Sequence, residues 1–132
     1  MKVEWSKDLA TGIGWQDRQH KELFKRARSL FDALVRGEGT EEVGKLLDFL
    51  DEYVVVHFHD EEQAMSKRNY PDTLSHIEEH TEFIEHLSDL KSGLPGGDNF
   101  AEEVQTRVVY WLMNHIAVTD KDLGEFLKRE GG

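Results

Sequence analysis

Four stretches of this chain repeat apolar residues every three or four positions, and no Val/Thr/aromatic run alternates at the two-residue period of a strand. Leu23, Phe24, Ala27, Leu30, Phe31 and Leu34 predict a helix over about residues 18–36. Val43, Leu46, Leu47, Leu50 and Val54 predict a second over about 40–65. Thr40 is its expected N-cap, and Glu41 and Glu42 occupy a first turn whose dipole favours acids. Phe83, Ile84, Leu87 and Leu90 share one face of a third helix over about 71–91, with Pro71 in its first turn. Val104, Val108, Trp111 and Leu112 face inward on a fourth, over about 100–118. The breaks are "GEGT", "SKRNYP" and "SGLPGGDN", the last being the clearest linker. Residues 1–17 lack a helical period and predict an arm laid across the helices on Trp5 and Trp15, and residues 119–132 leave a short helical tail. Amphipathic helices joined by short loops bury their stripes against one another. The expectation is a single all-α domain, 1–132, folded as an up-down-up-down four-helix bundle with an N-terminal arm and a short C-terminal helical tail.

Charge and composition narrow the function. A formal net charge of -11 argues against a nucleic-acid backbone or an anionic membrane as partner. The chain has no cysteine, which excludes disulfides, thiolate metal sites and cysteine nucleophiles. No apolar run suits a signal peptide or a bilayer span, so a cytoplasmic protein is expected.

The stripes carry polar residues at the same rhythm. Four residues turn a helix by about 400°, so positions i and i+4 share a face. His20 leads the first stripe; His57 and then Glu61 continue the second; His76 and His80 precede Phe83 on the third; His115 follows Trp111 and Leu112 on the fourth. A single histidine on an apolar face is more often a hydrogen-bonded core residue than a ligand. Five histidines and a carboxylate converging from four helices would leave many donors and acceptors unpaired, at about 1–3 kcal/mol each, unless a shared partner satisfied them. A metal centre does so. Six or more ligands exceed one tetrahedral zinc, magnesium and calcium favour oxygens, and imidazole suits iron, copper, zinc and nickel. A carboxylate among histidines can bridge two metals. Asp120, in "HIAVTD", is a candidate seventh ligand, but five residues from His115 put it about 140° off that face in a regular helix. Either the helix ends, widens or bends there, or Asp120 simply caps the C-terminal segment. His59 and His86 lie off the interior face and are expected in solvent.

Taken in order, Trp5, "TGIGWQDRQHKELF", "HFHDEEQAM", the "YP" at 70–71, "HIEEHTEFI" and "WLMNHIAVTDKDLGEFL" resemble the hemerythrins, and more closely the single-domain bacteriohemerythrins. They span nearly the whole chain. The resemblance implies a non-haem di-iron centre. His76, His80 and His115 would hold one iron, His20 and His57 the other. Glu61 and Asp120 would bridge them, together with an oxo or hydroxo bridge, which decides the Asp120 alternative for ligation. Between Gly12 and Asp17 such proteins commonly carry proline, glutamate and an aliphatic residue; here Gly14, Trp15 and Gln16 stand there.

The function so implied is reversible dioxygen binding for storage, transport or scavenging, with dioxygen on the two-histidine iron. The histidine-rich donor set favours reversible binding over oxidation, so the chain is not expected to be an enzyme. The alternatives are an oxygen or redox sensor domain with a signalling partner, and a di-iron enzyme reducing peroxide or nitric oxide. An oxygen-consuming enzyme is the partner class a carrier would serve. Phe58, Met65, Trp111 and Leu112 are candidates to line or seal the ligand pocket.

Overall fold

The computed structural model of the chain describes residues 3–94, 97 and 99–131. Pro95, Gly96 and Asp98, inside the expected "SGLPGGDN" linker, lie outside the described residues, as do 1–2 and 132. After a short 3-10 turn, Lys7–Leu9, come helices α1 (Gly14–Val35), α2 (Thr40–Arg68), α3 (Thr73–Ser92) and α4 (residues 100–129). No strand occurs among the described residues. Each helix packs on the next, and α4 returns to pack on α1, closing the bundle. No helix among the described residues is long and apolar enough to cross a membrane.

Two apolar clusters set the direction of each helix. The larger includes Leu23, Leu30, Leu50, Val54, Phe58, Phe83, Leu87, Val108, Leu112 and Ile116. The smaller holds Ile13, Met65, Tyr70, Leu123 and Leu127. Along the chain the path runs from the small cluster to the large one through α1, back through α2, forward through α3 and back through α4. That alternation is the up-down-up-down topology. His20, His57, Glu61, His76, His80, His115 and Asp120 all lie near the crossover between clusters, so the antiparallel arrangement brings them to one level.

Helix ends depart from the sequence expectation for local reasons. α1 begins at Gly14 rather than near Arg18, because Asp17 folds the arm back onto the first turn. Its carboxylate accepts hydrogen bonds from the backbone N–H of Thr11 (2.8 Å) and Gly12 (3.2 Å), and the Thr11 hydroxyl accepts one from Ile13 N–H (3.1 Å). These bonds satisfy donors next to the helix start. α2 runs on to Arg68, where Asn69 takes the left-handed conformation (φ 55°) and ends it. Thr40 is the first helical residue, not the cap, which is Gly39. Pro71 lies in the turn ahead of α3 rather than in its first turn. Ile84 is 36% exposed, on the flank of a narrower stripe formed by Phe83, Leu87 and Leu90.

α4 is the largest departure. The expected fourth helix and tail form one continuous helix, α-helical over Phe100–Val104, Trp111–Asn114 and Lys121–Arg129. The intervening stretches Gln105–Tyr110 and His115–Asp120 are π-helical. Val104, Val108, Leu112, Ile116, Asp120 and Gly124, each four residues from the last, are all buried. A regular helix drifts by about 40° per four-residue step, or about 200° over the five steps, and could not keep them on one side. The wider π turns take up the drift.

Candidate metal centre

The centre is assembled from side chains whose own helices are fixed by the two clusters. His20, His57, Glu61 and Asp120 have no exposed surface, and His76, His80 and His115 are at most 2% exposed. Atoms that could hold a metal fall into two groups, Glu61 with His76, His80, His115 and Asp120, and His20 and His57 with the same Glu61 and Asp120. Each carboxylate is divided between the groups. Glu61 Oε1 lies 3.3 Å from His76 Nε2 and 3.2 Å from His80 Nε2. Its Oε2 lies 3.2 Å from His57 Nε2 and 3.7 Å from His20 Nε2. Asp120 Oδ1 is 3.0 Å from His76 Nε2 and 2.9 Å from His115 Nε2, while Oδ2 is 2.9 Å from His20 Nε2 and 3.3 Å from His57 Nε2.

Asp120 reaches the cluster because His115–Asp120 is π-helical. There the i→i+5 bond brings residue i+5 back over residue i, where a regular α turn would have carried it away. Widening, not capping, is what the backbone does.

Several outward ring nitrogens are held from neighbouring helices. His57 Nδ1–H donates to Gln19 Oε1 (2.7 Å), His80 Nδ1–H to Glu62 Oε2 (2.8 Å) and His115 Nδ1–H to Glu79 Oε1 (2.8 Å). Thr119 Oγ1 also donates to Glu79 Oε1 (2.8 Å), tying the π stretch to α3. These bonds fix Nδ1 as the protonated nitrogen and turn Nε2 inward. Gln16, wholly buried, donates from Nε2 to Glu61 Oε2 (2.9 Å) and to the Asp120 carbonyl (3.2 Å). Sequence reasoning missed all of these partners. The only signal was adjacency: Gln19, Glu62 and Glu79 each sit beside a site residue on their own helix, yet each serves a histidine on another.

Electrostatics follow from burial and carboxylates acting in opposition. Burial disfavours charged His57, His76 and His115, but Glu61 and Asp120 outweigh it and raise them to about 9, about 9 and about 10. His20 is raised for the same reason. Burial pushes Glu61 and Asp120 upward, and the Asp120 charge pushes Glu61 further, yet the surrounding imidazoles hold both well below the usual carboxylate range. The residues fit a bound cation. His76 Nε2, His115 Nε2 and Asp120 Oδ1 are buried, and each nitrogen lies 2.9–3.0 Å from that oxygen without the alignment of a hydrogen bond. Buried polar atoms without partners are rare, and these three converge as ligands do.

Of the four candidate wall residues, Phe58 and Trp111 touch the site. Phe58 stacks on His80 (ring centroids 3.8 Å, interplanar 9°) and meets His115 edge-on. Trp111, half-buried rather than fully inward, stacks on His115 (4.8 Å, 11°). Leu112 belongs to the larger cluster and Met65 to the smaller, on opposite sides of the centre. His59 is exposed. His86, expected in solvent, is instead half-buried and donates from Nδ1 to the Arg107 carbonyl (3.0 Å), because the first π stretch of α4 turns that carbonyl toward α3.

Comparison with known proteins places this geometry in context. The family described as the hemerythrin HHE cation binding domain matches residues 11–127. A bacteriohemerythrin from Methylococcus capsulatus is 37% identical over 121 residues, covering 91% of this chain and 92% of its own. A myohemerythrin from Theromyzon tessulatum is 32% identical over 117 residues, 89% of this chain and 87% of its own. A crystal structure of wild-type hemerythrin superposes with a TM-score of 0.76 at 34% identity, covering 94% of this chain and 95% of that one.

Proposed function

The chain belongs to the hemerythrin family, and from that premise we propose that it holds two iron ions between its four helices and binds dioxygen there reversibly. His76, His80 and His115 would hold one ion and His20 and His57 the other, with Glu61 and Asp120 serving both. The observation that carries this reading is the division of each carboxylate, one oxygen toward each histidine group. A single-ion site has no use for that arrangement. Two ferrous ions, when bound, supply the two electrons that dioxygen takes up on binding.

The rest is the work of the chain's own residues. The five-donor group leaves less room for an exogenous ligand than the four-donor group, so the ligand side is the one built on His20 and His57. Gln19, Glu62 and Glu79 lock three imidazoles in the tautomer that presents Nε2 to the interior. Phe58 and Trp111 cover the rings of His80 and His115, while Leu112 and Met65 close the interior on either side and would keep water out of it. Five neutral imidazoles with two carboxylates form a donor set that favours reversible binding, and the chain acts as a carrier, store or scavenger rather than an enzyme.

Metal analysis and optical titration test this. Purified protein should contain two irons per chain, and its reduced form should gain a charge-transfer band in air that fades when oxygen is removed. Zinc in place of iron, or irreversible oxidation with no oxygenated form, would refute it. Rapid turnover of peroxide or nitric oxide would replace the carrier with an enzyme.

A further inference from the structure

We propose that Gln16 is a positioning residue that fixes which oxygen of Glu61 serves the two-histidine half of the centre. The proposal rests on the di-iron reading and goes beyond it, since Gln16 itself contributes no ligand atom.

Gln16 sits in the first turn of α1 with no exposed surface. Its amide nitrogen faces two acceptors, Glu61 Oε2 at 2.9 Å and the Asp120 carbonyl at 3.2 Å. Two acceptors demand the NH2 end, which fixes the orientation of the amide. Glu61 Oε2 is the oxygen 3.2 Å from His57 Nε2 and 3.7 Å from His20 Nε2. Oε1, on the other edge, faces His76 and His80 instead. The amide therefore holds one half of a shared carboxylate, and it holds the half with fewer histidines. Through the Asp120 carbonyl, the same NH2 group also ties down the backbone of the second shared carboxylate.

The amide is itself confined from behind. A Cβ on Gly124 would lie 2.9 Å from Gln16 Oε1, 2.5 Å from Thr11 Cβ and 2.8 Å from Thr11 Cγ2. Only glycine lets α4 approach the arm closely enough to seat Gln16 against Glu61. With the donor removed, Glu61 is free to turn toward the three histidines, and the two-histidine group loses an oriented ligand while the other keeps its own.

Cobalt(II) titration of the metal-free protein, followed by visible absorbance, tests the assignment. The wild type should take up two equivalents. Gln16→Met, similar in size but without a donor, should weaken one equivalent by about 10–100-fold, the usual effect of losing a partner that orients a ligand, and leave the other unchanged. Gly124→Ala, which displaces the amide from behind, should give the same selective loss. Equal weakening of both equivalents, or no weakening, overturns the assignment and leaves the di-iron reading standing. A wild type that takes up only one cobalt removes the di-iron reading and this assignment with it.

Discussion

Loading metal into this centre should expel about three protons per chain at pH 7. His57, His76 and His115 are held at about 9, about 9 and about 10, so in the metal-free protein all three carry a proton at neutral pH. Burial opposes that charge, and Glu61 and Asp120 overcome the opposition. A metal needs neutral imidazole, so each proton must leave. At about 1.36 kcal/mol per pH unit, deprotonation at pH 7 opposes binding by about 3 kcal/mol at His57 and His76 and about 4 kcal/mol at His115. Three protons make the overall binding constant rise about a thousandfold per pH unit above neutrality. Calorimetry of cobalt or ferrous binding in two buffers of different ionisation enthalpy gives the proton count directly. The sign for stability follows too. These histidines are raised above their unfolded value near 6.5, so their contribution to the metal-free fold is fully present below that value and fades as pH rises through about 9–10. Glu61 and Asp120 are depressed, so theirs is present above the ordinary carboxylate range and fades in acid. The midpoint temperature of the metal-free protein should fall between pH 7 and 10 while the loaded form stays level. Release of fewer than one proton per chain would refute the electrostatic account.

Two further substitutions test the geometry. His57→Ala should lower metal content, whereas His59→Ala, two residues away on the exposed face, should leave it unchanged; equal losses would contradict the face assignment. Glu79→Ala removes the acceptor of both His115 Nδ1–H and the Thr119 hydroxyl, and chelator competition should show metal affinity reduced by about 10–100-fold, with Glu79→Gln losing less because it keeps an oxygen there.

The sequence made His20, His57, Glu61, His76, His80 and His115 legible because each continues an apolar stripe of its own helix, and the helical period is a local property. Asp120 was out of reach of that logic, since its placement depends on a π turn that α-helical spacing does not contain. A signal was nonetheless present in the four-residue recurrence of Val104, Val108, Leu112, Ile116, Asp120 and Gly124. Gln19, Glu62 and Glu79 were illegible for a different reason. Each orients a histidine on a neighbouring helix, and nothing local tells a residue which helix will pack beside it. The start of α1 was hidden by glycine and tryptophan, whose low helix propensity is offset by bonds from Thr11 and Gly12 to Asp17.

The four-residue recurrence on α4 gives that helix a reading frame. Asp120 belongs to the level of the histidine cluster, whereas Leu123 and Leu127, beyond it, belong to the smaller apolar cluster with Ile13, Met65 and Tyr70. One count of residues through His115–Asp120 therefore phases both the carboxylate and the packing that follows. Deleting a single residue between Ile116 and Thr119 would restore a regular turn, with the carboxylate four residues from His115 and still on its face. The leucines and the glycine behind Gln16 would keep their faces with it, whereas a second deletion would rotate all of them by about 100°. The segment can therefore lose one residue but not two, and exposed Val118 should tolerate both replacement and removal.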